Sequence, residues 1–131
     1  MHTDKDKINE LTEKVIGCAF KVGSKLKAGF LEKCYENALA LVLGKIGLQV
    51  SPQHPIDVFY DGIRIGEYFA DLLVEDTVIV ELKAGKGVDD AHYAQCINYL
   101  VATGRPVCLL IHFGTRVDIK RIVRPGTDLA L

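Results

Sequence analysis

A chain of 131 residues, 49% hydrophobic and 25% charged, has the balance of a globular domain and not of a disordered or fibrous segment. That length suits one domain spanning 1–131, because domains commonly run to about 100–150 residues. A formal net charge of −1 excludes a globally basic surface, so any contact with a polyanion has to come from a local patch.

The periodicity predicts a helix over residues 4–27. Ile8, Leu11, Val15, Ile16, Ala19, Phe20 and Val22 recur at helical spacing, Thr3 or Asp4 can cap the start, and Ala28-Gly29 closes it. A second helix is expected from about Phe30 to Lys45, with Leu31, Cys34, Tyr35, Ala38, Leu39, Leu41 and Val42 as its apolar face. Gly44 and Gly47 mark its end. The pattern then turns to strands. Leu48–Ser51 is a short candidate, and Ile56–Tyr60 and Ile63–Val74 are joined by Asp61-Gly62. That dipeptide is a strong hairpin signal, because both central positions need positive φ.

A turn near Glu75-Asp76 leads into Val78–Ala84, which is apolar on both faces, as a central strand should be. After the loop Gly85-Lys86-Gly87, Asp89 or Asp90 caps a third helix running to about Thr103. Val107–Phe113 is another doubly apolar strand, and Val117–Val123 is a final strand with several basic residues. The order is α-α-β-β-β-α-β-β. The third helix joins two buried strands and therefore reads as a crossover between parallel neighbours.

Cysteines at 18, 34, 96 and 108 form no C-x-x-C pair and no cluster with histidine, so buried free thiols are expected. The N-terminus MHTDKDK has no leader character, and no apolar run nears the ~20 residues that span a bilayer. A soluble, cytoplasmic protein without membrane contact is expected.

The chemistry concentrates where charge is costly. An uncompensated buried carboxylate or ammonium costs several kcal/mol. Yet Val-Ile-Val-Glu81-Leu-Lys83-Ala places two charges, on one face, inside the most apolar strand. Asp71 stands in the preceding strand, also between apolar neighbours. A divalent cation would compensate them: Asp71 and Glu81 suit Mg²⁺ or Mn²⁺, and the Leu82 carbonyl could add a ligand. Lys83 could then orient or deprotonate a water, or steady a phosphate oxygen. Metal, activated water and charge stabilisation are what phosphodiester hydrolysis needs.

This assignment demands a particular register. A two-residue loop at Glu75-Asp76 turns Asp71 away from Glu81, whereas a three-residue loop or a bulge sets them opposite each other. The second is expected. The other account of the three charges is an ion pair holding two strands.

Helical residues could complete the site. Gln95 and Tyr99 lie one turn apart on the third helix, with His92 near the same face. Gln95 could bind a phosphate or a metal-bound water, and Tyr99 could touch the DNA backbone. On the second helix, Glu32 is either a solvated first-turn residue or a further metal ligand, with Tyr35 and Glu36 just beyond it. Lys7, Lys14, Lys21 and Lys25 read best as a solvated helix face. Arg116, Lys120, Arg121 and Arg124 fit either a solvated strand or a polyanion contact.

The stretch Gly29-Phe-Leu-Glu32-Lys-Cys-Tyr35 resembles the signature of the GxxExxY proteins, a small bacterial family within the PD-(D/E)XK nuclease superfamily. The likeness extends over almost the whole chain, through GEYFADLLVEDTVIVELKA and AQCINYL to the last apolar strand. Asp71, Glu81 and Lys83 fall on the Asp…Glu-x-Lys positions, with Ala70 where a proline often stands. Gln95 and Tyr99 fall on the Gln-x-x-x-Tyr motif of the exonuclease-like branch. Glu32 resembles the acidic helix residue that assists the metal there, and Tyr35 and His92 are expected to contact substrate. The resemblance implies an α/β fold with a restriction-endonuclease-like core: a mixed central β-sheet flanked by α-helices. It also implies a Mg²⁺- or Mn²⁺-dependent nuclease acting on DNA, with a homodimer or a protein partner expected. The alternative is a catalytically silent module that keeps the fold and grips nucleic acid or protein.

Overall fold

The computed structural model describes residues 3–129. Helix α1 runs Asp4–Leu26 and starts in a capping box, in which Thr3 accepts from the Asp6 amide and Asp6 accepts from the Thr3 amide. Helix α2 runs Glu32–Lys45, two residues shorter at its start than the periodicity predicts. Strands β1 (Val50–Tyr60), β2 (Ile63–Val74) and β3 (Val78–Ala84) follow, then helix α3 (Asp90–Thr103) and strands β4 (Val107–Phe113) and β5 (Val117–Val123).

The predicted short strand at Leu48–Ser51 and the strand at Ile56–Tyr60 are one element in the fold. β1 carries Pro52 and Pro55 and passes through Gln53 at a φ of 49°. Strand order β1-β2-β3-β4-β5 puts β1 on the sheet edge, where a missing backbone donor breaks no central ladder. Asp61 and Gly62 both take positive φ, and Tyr60 pairs with Ile63, as the hairpin signal requires.

β3 and β4 are parallel neighbours joined through α3, and the other pairs are antiparallel, so the sheet is mixed. The core residues of one face, Leu72, Val74, Val80, Leu82, Leu109 and Ile111 among them, pack under α1 and α2. Leu73, Ile79, Cys108 and Leu110 point the other way and pack under Cys96, Tyr99 and Leu100 of α3. Both faces of β3 and β4 are therefore covered, which is why those strands are apolar throughout.

Cys18, Cys96 and Cys108 are buried free thiols, but Cys34 is exposed, on the outer side of α2. The apolar run around Cys34 suggested burial; the helix instead turns Tyr35, Leu39 and Leu43 inward.

Candidate active site

The loop after β2 decides the site. Val74 pairs with Val78, so three residues, Glu75, Asp76 and Thr77, form the turn. Glu75 and Asp76 both have positive φ, and Arg105 clamps the loop through the Asp76 carboxylate at 2.6 Å. The β2–β3 ladder continues through Leu73–Ile79 to Leu72–Val80 and stops there. The turn has the length that a shared carboxylate site demands, but the ladder ends one step short of an Asp71–Glu81 pair.

Beyond that point β2 leaves β3 and stays with β1. Parting strands leave backbone donors that must find other partners. The two carboxylates serve them. Glu81 Oε1 accepts from the Asp71 amide at 3.1 Å, and Asp71 Oδ2 accepts from the Leu82 amide at 2.8 Å. The remaining oxygens are more open. Asp71 Oδ1 receives only a 3.4 Å bond from Gln53, and Glu81 Oε2 accepts none among the described residues. The N–H and C=O of one strand residue point to the same side. The Leu82 carbonyl therefore faces the same opening as its amide.

Electrostatics mark this as an uncompensated acidic centre. Glu81 is 5% exposed; burial first, then the Asp71 charge, push its carboxyl from the usual 4.5 up to about 8. Burial also raises Asp71, and Glu36 adds to the rise, while the Leu82 amide opposes it. Lys83, two residues from Glu81 on the same face, pulls both acids down through its charge without pairing to either. Carboxylates held together at this cost fit a cation bound by oxygen. Among the described residues, no three His, Cys, Asp or Glu side chains gather at metal-ligand spacing. Two carboxylates and the Leu82 carbonyl are the groups here that could hold such a cation.

The helices contribute differently from expectation. Glu32 is exposed at the start of α2 and is not the acid brought to Asp71. Glu36, one turn on, is buried; Gln53 donates to its Oε1 at 2.8 Å and bridges it to Asp71. Lys33 pairs with its other oxygen at 2.6 Å. A sequence signal existed: Glu36 lies on the same helical stripe as Leu39 and Leu43. Tyr35, expected to contact substrate, is fully buried instead. Its ring stacks on Phe113 at 4.6 Å, and its hydroxyl donates to the Lys27 carbonyl at 2.6 Å and accepts from the Phe30 amide at 3.2 Å. It ties the α1–α2 connection to the sheet.

His92 is drawn into the α3 capping box. Its Nδ1 accepts from the Asp89 amide at 3.2 Å, and its own amide donates to Asp89 Oδ1 at 3.2 Å. Gln95 is half-buried and lines a groove along α3. Tyr99 is buried against Tyr68 at 5.7 Å, and burial, then the Glu81 and Asp71 charges, raise its phenol well above the usual range. Tyr99 therefore borders the acidic centre. Arg121 is committed to the fold, donating to Asn9 at 2.6 Å and to the Leu129 carbonyl at 3.0 Å.

A sequence model described as the PD-(D/E)XK nuclease superfamily matches residues 9–122. Among solved structures, an alkaline exonuclease from Laribacter hongkongensis (LHK-Exo) is similar with a TM-score of 0.49 and 16% identity, over 81% of this chain and 76% of that one. The protein SSO0001 is similar with a TM-score of 0.47 and 15% identity, over 86% of this chain and 68% of that one. No curated protein matches.

Proposed function

Since the chain belongs to the PD-(D/E)XK nuclease superfamily and has its restriction-endonuclease-like α/β core, we propose that it is a Mg²⁺- or Mn²⁺-dependent nuclease hydrolysing phosphodiester bonds in DNA. Within the superfamily, the spacing of Gly29, Glu32 and Tyr35 supports reading the chain as a GxxExxY protein. The observation that carries the activity is the mutual hold of Asp71 and Glu81, which leaves one oxygen of each turned from backbone duty.

Asp71, Glu81 and the Leu82 carbonyl hold the cation in this reading. When bound, a divalent cation supplies charge neutralisation at the phosphoryl group and a more acidic water. The chain does the rest. Lys83 steadies a phosphoryl oxygen or orients the attacking water, from a β3 position two residues past Glu81. Gln53 fixes Asp71 and Glu36 relative to each other. The buried wall of Leu73, Ile79 and Tyr99 keeps bulk water from one side of the acids and so strengthens every charge interaction there.

One observation favours a second reading, a silent nucleic-acid- or protein-binding module. A Glu81 carboxyl raised to about 8 is mostly protonated at neutral pH unless a cation displaces the proton. Incubation of linear single- and double-stranded DNA with the protein and Mg²⁺ or Mn²⁺ decides. Cleavage by the wild type and none by Glu81→Ala supports the nuclease. No cleavage with either ion, together with no heat of metal binding, leaves the module.

A further inference from the structure

The β1–β2 hairpin outruns β3 and stands apart from α3, leaving a cavity of about 830 Å³ between them. Phe59 and Tyr68 wall it from the hairpin, Ala94 lies along the α3 side, and Gln95, Asn98 and Tyr99 supply its polar groups. A register shift between Val58 and Phe59 bends the hairpin at this point. Phe59 is 61% and Tyr68 49% exposed, so two aromatic rings stand open on one wall. The Gln95 and Asn98 amides have no hydrogen-bond partner among the described residues.

The charge of this lining discriminates between occupants. No Lys or Arg lines the cavity, and its one acid, Asp57, is paired with Arg64 at 3.5 Å. A neutral wall does not hold phosphate. Aromatic faces beside free amides suit a flat, uncharged ring with donors and acceptors on its edge, which is the chemistry of a nucleobase. A base inside a duplex presents neither its face nor its pairing edge.

Position supplies the second argument. Tyr99 lies at the inner side of the cavity and packs in one cluster with Ala70, Leu73 and Ile79, the neighbours of Asp71 and Glu81. Tyr99 thus stands in the cavity wall and also feels the charges of Glu81 and Asp71. A chain whose phosphate reaches Asp71 and Glu81 has its adjoining bases at this wall.

We propose that the groove between Phe59/Tyr68 and Gln95/Asn98 takes unstacked bases, so that the substrate is single-stranded DNA. This rests on the nuclease reading of the Asp71–Glu81 centre. The test uses fluorescence anisotropy of the whole protein, with Ca²⁺ replacing Mg²⁺ and gels confirming intact probe. The probes are an oligothymidylate of about 12 nucleotides, within the usual span of single-strand sites, its abasic counterpart, and a duplex of equal length. Oligothymidylate is expected to bind at least about tenfold tighter than the abasic strand, in keeping with the worth of base–aromatic stacking. Ala94→Trp, which fills the groove, should bring that ratio close to one. Tyr68→Ala with Phe59→Ala should do the same by removing the rings, and decides the matter should Ala94→Trp fail to give a folded circular dichroism spectrum. Equal binding of the abasic strand, tighter binding of the duplex, or an unchanged ratio in the variants overturns the proposal. So does a ratio unmoved while the variants shift a dimer to monomer in sedimentation, which assigns the groove to a second copy. Base-dependent binding without metal-dependent cleavage sinks the nuclease reading and keeps the groove. Cleavage without base dependence does the reverse.

Discussion

Asp71 and Glu81 hold each other through the backbone: the Asp71 amide donates to Glu81 at 3.1 Å, and Asp71 takes the amide of Leu82, the residue after Glu81, at 2.8 Å. Two acids are thereby fixed at the point where two strands part, each doing for the main chain what the interrupted ladder no longer does. Neither meets a cationic partner within ion-pair distance among the described residues, which sets the stability and the chemistry expected of the molecule.

Stability should fall as pH rises from about 4.5 to about 8. In that window the folded chain keeps a proton on Glu81 that the unfolded chain has released, so the contribution is complete below the window and lost above it. Asp71 shifts in the same direction. Glu81→Gln keeps position 81 neutral and should stabilise the metal-free protein at about pH 8.5 by roughly 2–4 kcal/mol, with little gain near pH 4. Urea melts in EDTA across this range measure it; a flat difference between the two proteins refutes it.

Mg²⁺ or Mn²⁺ should raise the melting temperature, and more at about pH 8 than at pH 6, because the ion competes with the Glu81 proton. At a hundredfold excess over the dissociation constant the gain is about 2.7 kcal/mol. Asp71→Asn should abolish the response. A rise of equal size in Asp71→Asn would place the ion elsewhere.

Glu36, not Glu32, should be the acid on α2 that matters for cleavage. Glu36→Gln removes a charge facing Asp71 while its amide oxygen can still accept from Gln53, and should slow cleavage about tenfold to a hundredfold. Glu32→Gln, at an exposed helix start, should change the rate less than twofold. Parallel rate measurements at saturating metal compare them.

Tyr35→Phe should cost about 1–3 kcal/mol, since it leaves the Lys27 carbonyl and the Phe30 amide without their shared hydroxyl. Retention of the Phe113 stack should keep the native near-ultraviolet spectrum.

Gly23 lies where α1 crosses the sheet, and a methyl group there would meet Val117 and Phe113. Gly23→Ala should destabilise by about 1–3 kcal/mol through overpacking. Adding Val117→Ala should recover part of that loss, read as non-additivity in a double-mutant cycle.

Much of this could be read along the chain. Residue alternation and turn chemistry are local, so the Asp61-Gly62 hairpin and the parallel β3–β4 pair with its α3 crossover follow from short stretches. The three-residue turn after Val74 is expected instead from the demand of a shared carboxylate site, and the fold has that turn. The cost of burying charge singled out Asp71, Glu81 and Lys83 before any contact was known. Which side chains of a helix reach a site is another kind of question. Glu32 and Glu36 are one turn apart and chemically alike. The choice between them rests on how α2 rotates as Tyr35, Leu39 and Leu43 seek the core. Tyr35 is drawn into packing by Phe113 far along the chain, His92 into the capping box by Asp89 three residues before it, and Gln53 became a bridge because β1 runs on past two prolines at the sheet edge. The sequence by itself determined where charge had to be compensated, because that cost belongs to the residue and its strand. Only the tertiary structure decided which helix residues and which groove surround that charge, because rotation of α2 and divergence of the hairpin arise from packing between elements distant in the chain.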